Sequence, residues 1–254
     1  MTSVIDRLWP NPQGDLSDAE LLETMRAPAD EFRLSMNFIS SVDGAVTRAG
    51  KSGPLGDAAD KRIFDLLRYA AHAVLVGAGT VRIEGYGAMR LDEAAVQWRE
   101  KAGLAQHPVF VLVSARLDLD PSSPVFTDAP TQTPGESRPI IYTVASAPRD
   151  RWEALAQVAN VVAVGDTAVD PQRIRADLAI RGLTHVHAEG GPHLFGSFLA
   201  ADAVDTLFLT LAPSVEAGLA GRIAVSPAAT PHALSLRTVL RADSELLLQY
   251  TREQ

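Results

Sequence analysis

The residues with the clearest chemical potential lie in the stretch Glu189-Gly190-Gly191-Pro192, directly after the apolar run 184–188. Paired glycines cost backbone entropy on folding, so their use indicates that another group approaches the main chain here. The first N–H groups of a helix have no partner within the helix and favour an anion. The stretch is therefore a candidate phosphate-binding turn. Glycines that serve only as tight turns and helix ends are the alternative interpretation. A valine at Gly191 is expected to block the phosphate and to spare folding if the local φ is negative.

A second turn of similar composition, Gly77-Ala78-Gly79-Thr80, follows the apolar run that begins at His72. It lacks the GxGxxG spacing of a Rossmann dinucleotide site, and no acid follows a strand about 20 residues later in the expected way. Taken alone, the turn is weak evidence for a dinucleotide.

A metal site is another interpretation of this region, because three histidines lie close to the first turn: His185, His187 and His193. His185 and His187 would share one face of a strand. No third ligand at a fixed spacing accompanies them, so structural histidines are favoured over a metal. The chain also contains no cysteine, which excludes thiolate metal sites, disulfides and cysteine nucleophiles.

The elements that must position these turns alternate between strand and helix patterns. Asp57 to Ala71 has an apolar stripe behind a capping aspartate, and Asp170 to Gly182 has Pro and Gly at the expected ends. Strands that alternate with helices predict an α/β fold with a mostly parallel central sheet and helices on both faces. The predicted strands of this pattern cover 31–40, 72–77, 108–113, 139–144, 160–164 and 184–188.

The C-terminal part of the chain differs from this pattern. Segments 204–213 and 236–252 are strand-like with no helix between them, which predicts one or more antiparallel C-terminal strands and an apolar edge region of the sheet. Ligands of open α/β sheets bind beyond the carboxyl ends of the strands. One domain over residues 1–254 is predicted, with residues 1–30 as an N-terminal arm.

Composition limits the partners. The 254 residues are 46% hydrophobic and carry a formal net charge of −8 without a Lys/Arg cluster, so no nucleic-acid partner is expected. No run of about 18 apolar residues is present, so no membrane span is expected. A small anionic ligand is compatible with the charge, because local backbone dipoles can outweigh it. A cytoplasmic location is predicted.

Four blocks of the chain resemble the signature blocks of the riboflavin-biosynthesis reductase family, the RibD C-terminal domain. The blocks are MNFISSVDGAV, AVLVGAGTVRIEGYGAMR, VFVLVSARLDL and HAEGGPHLFGSFLAADAVDTLFLTLAP, in the family's order and spacing. The resemblance spans about Phe32 to Tyr250. It implies a dihydrofolate-reductase-like fold, a homodimer, and NADPH-dependent reduction of a phosphoribosylaminopyrimidine whose ribose opens to a ribityl chain.

The resemblance also implies roles for individual residues. Those expected near NADPH are Pro54, Gly77, Ala78, Gly79, Thr80, Glu84, Ser114, Arg116, Gly190, Gly191, Pro192, His193, Leu194, Phe195, Gly196 and Ser197. Ser114 and Arg116 are expected beside the ribose that bears the 2′-phosphate. Those expected at the substrate are Asn37, Ser52, Arg68, Arg90 and Glu189, with the arginines gripping its phosphate.

Two departures from the family pattern lie in the substrate half. Gly85-Tyr86 replaces Asn-Pro, and Asn37 stands where bifunctional members have Lys. Among the residues expected near NADPH, Pro54 replaces a residue that is often Trp, and Glu84 stands where Asp is usual. NADPH binding is therefore predicted more firmly than the substrate, for a stand-alone reductase domain.

The source of the proton and the substrate stay open at this point. Asp43, Asp57, Asp60 and Glu189 are the nearby acids, although Asp57 and Asp60 also suit helix capping. In dihydrofolate reductases an acid on the corresponding first helix reads the pteridine, and Asp60 matches it, so a pteridine or folate is the alternative substrate. A non-catalytic NADPH-binding protein is a further alternative, disfavoured by the polar substrate set.

Overall fold

The computed structural model of the chain describes residues 3–25, 31–130, 138–229 and 231–252. Residues 1–2 and 26–30 of the predicted arm lie outside these ranges. The strands are β1 (Asp6–Trp9), β2 (Arg33–Ser41), β3 (Ala73–Gly77), β4 (Val109–Val113), β5 (Ile140–Thr143), β6 (Asn160–Ala163), β7 (His185–Ala188), β8 (Thr206–Ala212), β9 (Leu234–Ala242) and β10 (Glu245–Arg252). The helices are α1 (Asp18–Met25), α2 (Ala58–Ala70), α3 (Ala78–Glu84), α4 (Glu93–Lys101), α5 (Pro124–Thr127), α6 (Arg149–Ala156), α7 (Pro171–Ile180) and α8 (Pro192–Ala200).

The strands form one sheet in the order β1-β9-β10-β8-β2-β7-β3-β4-β5-β6. Pairing is parallel from β8 across to β6, whereas β10 is antiparallel to both β8 and β9. The predicted α/β class, the mostly parallel sheet and the antiparallel C-terminal strands are thus confirmed. The segment 204–213 was expected near an open edge, but β8 is an interior strand, and β1 from the predicted arm forms the edge on this side.

Core residues show how the parallel strands are covered on both faces. Ala73 and Leu75 of β3 pack in a cluster with residues of α7 and α8. Val74 and Val76, which point to the opposite face, pack with residues of α3, α5 and α6. A third cluster joins α1 and α2 to β8, β9 and β10. No helix within the described ranges is long and apolar enough to cross a membrane.

Helix α2 is fixed at both ends. The Asp57 side chain accepts hydrogen bonds from the first N–H groups, which confirms the predicted cap. At the other end, Arg99 is only 1% exposed and its Nη1 donates to the carbonyl oxygens of Tyr69 and Ala71 at 2.8 and 2.6 Å. These carbonyls have no partner within the helix, so the buried guanidinium satisfies them and holds the last turn, which carries Arg68.

Candidate active site

A cleft of about 760 Å³ lies beyond the carboxyl ends of β2, β3 and β7. The loop 46–56, the start of α2, the end of α3 and the turn before α8 surround it. Ten residues predicted from the sequence line this cleft: Asn37, Ser52, Asp60, Arg68, Thr80, Glu84, Glu189, Gly190, Gly191 and Pro192. The structure therefore brings together most of the polar residues assigned to substrate and part of those assigned to cofactor.

A buried ion pair joins two sides of the cleft. Arg68 Nη2 donates to Glu189 Oε2 at 2.7 Å, and Arg68 Nε donates to Oε1, so the pair is bidentate. The Glu189 side chain has no solvent exposure. Burial alone would lower the pKa of Arg68, but the Glu189 carboxylate more than offsets this and the pKa is raised. Loss of either partner would leave a buried charge, at a cost of roughly 3–5 kcal/mol.

Tyr86 completes this network. Its hydroxyl donates to Glu189 Oε2 at 2.9 Å. The Arg68 guanidinium carbon lies 4.4 Å from the Phe64 ring centre and 5.8 Å from that of Tyr86, a cation–π arrangement on two sides. Burial, and then the Glu189 charge, raise the pKa of Tyr86, so the phenol stays protonated. The sequence showed Tyr86 as a departure from the family, but not as a partner of Glu189.

The glycine turn is held by hydrogen bonds to the second turn. Gly77 N–H donates to the Gly190 carbonyl at 2.9 Å, and Gly191 N–H donates to Thr80 Oγ1 at 3.1 Å. Gly191 has a φ of +34°, and a Cβ there would lie 2.8 Å from Thr80 Oγ1. Gly190 has a φ of +95°. Both conformations favour glycine, so the turn needs glycine for its own geometry as well as for any ligand.

Hydrogen bonds between Ser52 and Glu84 hold the loop 46–56 over the cleft. Ser52 N–H and Oγ both donate to Glu84 Oε1, at 3.0 and 2.9 Å. The Pro54 carbonyl accepts from Arg48 Nη1 at 2.8 Å, and Pro54 itself is not among the described lining residues. Glu84 and Ser52, assigned to different ligands from the sequence, thus bind each other.

Asp60 lies in the first turn of α2 at the floor of the cleft. Burial raises its pKa, the Thr210 hydroxyl opposes this, and the Asp57 carboxylate raises it further. A Cβ at Gly56 would meet the Asp60 carboxyl group, so glycine at position 56 leaves room for it. The acid therefore lines the cleft and has a raised pKa.

Two sequence-predicted groups lie elsewhere. Arg90 is exposed, and its Nε donates to the Asp128 carbonyl at 2.7 Å, away from the described lining of the cleft. Of the run 190–197, only the first three residues line the cleft. Leu194, Phe195 and Gly196 are buried, and Phe195 stacks on Phe38. His193 and Ser197 are exposed on α8. Gly77, Ala78 and Gly79 are not among the described lining residues, and Gly77 contacts the turn through its N–H bond to the Gly190 carbonyl.

Ser114 and Arg116 follow β4 and stand in a cluster of arginines around one aspartate. Ser114 Oγ accepts from Asp118 N–H at 3.2 Å. Arg82 and Arg151 lie 3.3 and 3.9 Å from the Asp118 carboxylate, and Arg151 donates to the Arg116 carbonyl at 3.1 Å. The sequence did not predict that Arg82 and Arg151 lie beside Asp118, because α3 and α6, which carry these arginines, are far apart in the chain.

Several known proteins are similar to this chain in sequence or in fold. The family model described as the RibD C-terminal domain matches residues 33–248. A 2,5-diamino-6-ribosylamino-4(3H)-pyrimidinone 5′-phosphate reductase of Methanothermobacter thermautotrophicus is 27% identical over 85% of this chain and 96% of the relative. The same enzyme of Archaeoglobus fulgidus is 26% identical over 70% and 78%. The crystal structure of a pyrimidine reductase-like protein from Corynebacterium diphtheriae has a TM-score of 0.82 at 27% identity, covering 94% of this chain and all of that one.

The sheet, the cleft beyond its carboxyl ends and these likenesses define an oxidoreductase of the reductase class, whose reductant is a nicotinamide dinucleotide. The chain belongs to the RibD C-terminal domain family, the reductases of riboflavin biosynthesis. The family predicted from the four blocks is thus confirmed.

The sequence predicts that a valine at Gly191 spares folding if the local φ is negative. Because φ is positive, any side chain there is strained, whether or not a ligand is bound. Gly191→Ala is expected to lower the free energy of unfolding by about 2–3 kcal/mol, because backbone strain and the Thr80 contact add together. Gly103→Ala is the control: its φ is +74° but a Cβ there meets nothing within 4 Å, so a loss of about 1 kcal/mol is expected. Urea unfolding of both variants measures the difference. Equal losses would show that the Thr80 contact is unimportant.

Proposed function

We propose that this protein catalyses the NADPH-dependent reduction of a phosphoribosylaminopyrimidine, 5-amino-6-(5-phosphoribosylamino)uracil or its diaminopyrimidinone counterpart, to the ribitylamino product. The names of the relatives support this substrate class. The observation that supports the proposal most strongly is the shared position of residues from separate family blocks. Asn37, Thr80 and Glu189 come from three of these blocks, yet they line one cleft.

The turn before α8 suits the cofactor's pyrophosphate. The first hydrogen bond of α8 runs from Phe195 N–H to the Gly191 carbonyl, so the N–H groups of His193 and Leu194 precede the intrahelical ladder. Such groups, with the positive end of the helix dipole, form an anion site. The arginine cluster at the end of β4 suits the 2′-phosphate of NADPH, because guanidinium groups bind phosphate in bidentate fashion. Bound NADPH supplies the hydride.

The chain's own residues must supply one proton. Hydrogen bonds from Ser41 and from the N–H groups of Ala217 and Glu216 lower the pKa of Asp43 to about 2, so Asp43 is ionised near neutral pH. Asp57 is engaged as the cap of α2. Asp60, with its raised pKa and its place in the cleft, is left as the proton donor. Glu189, held by Arg68 and Tyr86, fixes the wall against which the substrate ring lies.

A pteridine is the second candidate substrate. The specific observation in its favour is Asp60, a carboxyl group on the first helix of the cleft, which can bind a ring edge bearing N–H groups. The charged residues in the described lining of the cleft are mostly acidic: Asp57, Asp60, Glu84 and Glu189 against Lys61 and Arg68. This balance suits N–H-rich rings and weakens the case for a strong phosphate grip inside the cleft.

Turnover separates the two candidates. With the phosphoribosylaminopyrimidine and NADPH, we expect loss of NADPH fluorescence and a product heavier by two hydrogens; dihydrofolate is expected to react more slowly. Asp60→Asn should lower turnover by roughly 100-fold or more, as for loss of a general acid. Asp150→Asn is the control, since Asp150 is an exposed acid in the first turn of α6, a position like that of Asp60 on α2, and is not among the described lining residues of the cleft. Faster reaction of dihydrofolate would favour the pteridine as substrate. If NADPH is not oxidised when either substrate is supplied, the protein is not a reductase of these two compounds.

Cofactor preference tests the arginine cluster. NADPH is expected to bind more tightly than NADH, and Arg116→Gln or Arg151→Gln should weaken NADPH by about tenfold while leaving NADH unchanged, because only NADPH carries the 2′-phosphate. Arg149→Gln, on the same helix as Arg151 and paired with Glu153 at the surface, is the control. Equal affinity of the parent protein for both dinucleotides would refute the assignment.

A homodimer is also proposed, with a cytoplasmic location. Strands β1 and β9, at one edge of the sheet, expose the apolar side chains of Leu8, Trp9, Leu234 and Leu236. Exposed apolar side chains at a sheet edge support an interaction surface there. Light scattering at micromolar concentration should give twice the chain mass, and a monomer at that concentration would count against the dimer.

A further inference from the structure

A carboxyl group is buried behind the substrate end of the cleft. Glu245, the first residue of β10, is only 1% exposed. Leu247, two residues on and therefore on the same face of the strand, packs in the core beneath α1 and α2. No hydrogen bond of ordinary length and angle reaches either carboxyl oxygen of Glu245 from the residues that the structure describes, and only the Asp60 N–H acts on it as a more distant donor. A buried charge without a donor is costly, so the group must be neutralised in another way.

The groups beside Glu245 are themselves acids. Asp57 and Asp60, both at the start of α2, are the residues that act on it electrostatically. Both also line the cleft. Carboxyl groups that share a site cannot all ionise, and a proton held between two of them removes the repulsion. Within the described ranges no set of three or more His, Asp or Glu residues is arranged to hold a metal ion, so a proton is the available counter-charge.

Among the described residues, the elements packed against β10 do not offer a cation to Glu245. On α2, Lys61 pairs with Asp65, and Arg62 pairs with Asp18 of α1. Strand β8 carries no charged side chain between Thr206 and Ala212. On β9, Arg241 is exposed and donates to Asp6. Asp243, in the turn before β10, is exposed.

We propose that Glu245 is a positioning residue for the reduction, which stores the proton that Asp60 delivers to the substrate. This inference rests on the proposed function. Hydride adds to the ribose carbon bonded to the exocyclic nitrogen, the bond from that carbon to the ring oxygen breaks, and the ring oxygen takes the proton of Asp60. Glu245 then transfers its proton to the Asp60 carboxylate, directly or through Asp57. Glu245 in turn takes up one proton from water.

The titration of Glu245 agrees with this geometry. Burial, then the direct approach and the charge of the Asp57 carboxyl group, and then the Asp60 charge raise the pKa of Glu245 from 4.5 to about 8, while the Asp60 N–H opposes this. At neutral pH the stored proton is therefore present, and it is lost above about pH 8. Because the folded-state pKa is raised, the folded protein also binds more protons than the unfolded chain between these values, and its stability falls as pH rises from about 4.5 to 8.

Glu245→Gln tests the store with little change of shape. In single-turnover NADPH oxidation by the full chain, the parent rate should fall about tenfold per pH unit above pH 8. In Glu245→Gln this alkaline decline should move to acid pH, with at least a tenfold loss at pH 7 and an unchanged KM. Asp243→Asn, in the adjacent exposed turn, should behave like the parent, since Asn tolerates the φ of +48° found there.

A second measurement needs no substrate. Carbon-13 NMR of side-chain carboxyl groups in the ligand-free protein should show one resonance that titrates near pH 8 and is missing from Glu245→Gln. A Glu245 resonance that titrates below pH 5 would overturn the stored proton. If the parent and Glu245→Gln turn over with the same pH profile, the proton transfer from Glu245 to Asp60 is overturned and the proposed function is not. If neither candidate substrate is turned over, the proposed function is overturned together with this proton transfer.

Discussion

The buried ion pair between Arg68 and Glu189 is the interaction on which the arrangement of the cleft depends. The two residues are 121 positions apart in sequence, one in the last turn of α2 and the other just beyond β7. Because the Glu189 carboxylate has no contact with water, it requires the guanidinium, and the helix cannot move along the sheet without exposing or breaking the pair. Tyr86 extends the constraint to the segment after α3.

The remaining contacts divide the cleft into two halves around this pair. On one side, the Gly190–Gly191 turn is fixed by Gly77 and Thr80, which places the start of α8 against the end of β3. On the other side, Asp60 stands on the same helix as Arg68, two turns earlier. A dinucleotide phosphate on the first side and the substrate on the second would bring the hydride donor and the proton donor to two adjacent atoms of one substrate, the ribose carbon and its ring oxygen.

Much of this arrangement was predictable from local sequence. The caps of α2 and α7, the apolar strands and the two glycine turns each depend on neighbouring residues, so their patterns identified them. Contacts between distant segments were not predictable in this way. The Tyr86–Glu189 bond depends on the order of strands in the sheet, and Arg151 reaches Asp118 only because α6 packs beside the end of β4. The edge role given to segment 204–213 was wrong for the same reason, since strand order is not a local property.

The most direct test of this account is a crystal structure of the protein with oxidised NADP⁺. The account predicts the pyrophosphate at the N-terminus of α8, within hydrogen-bond distance of the backbone after Gly191, with Glu189 still paired to Arg68 and the nicotinamide facing Asp60. A pyrophosphate bound elsewhere, or a nicotinamide on the far side of the Arg68–Glu189 pair from Asp60, would contradict it.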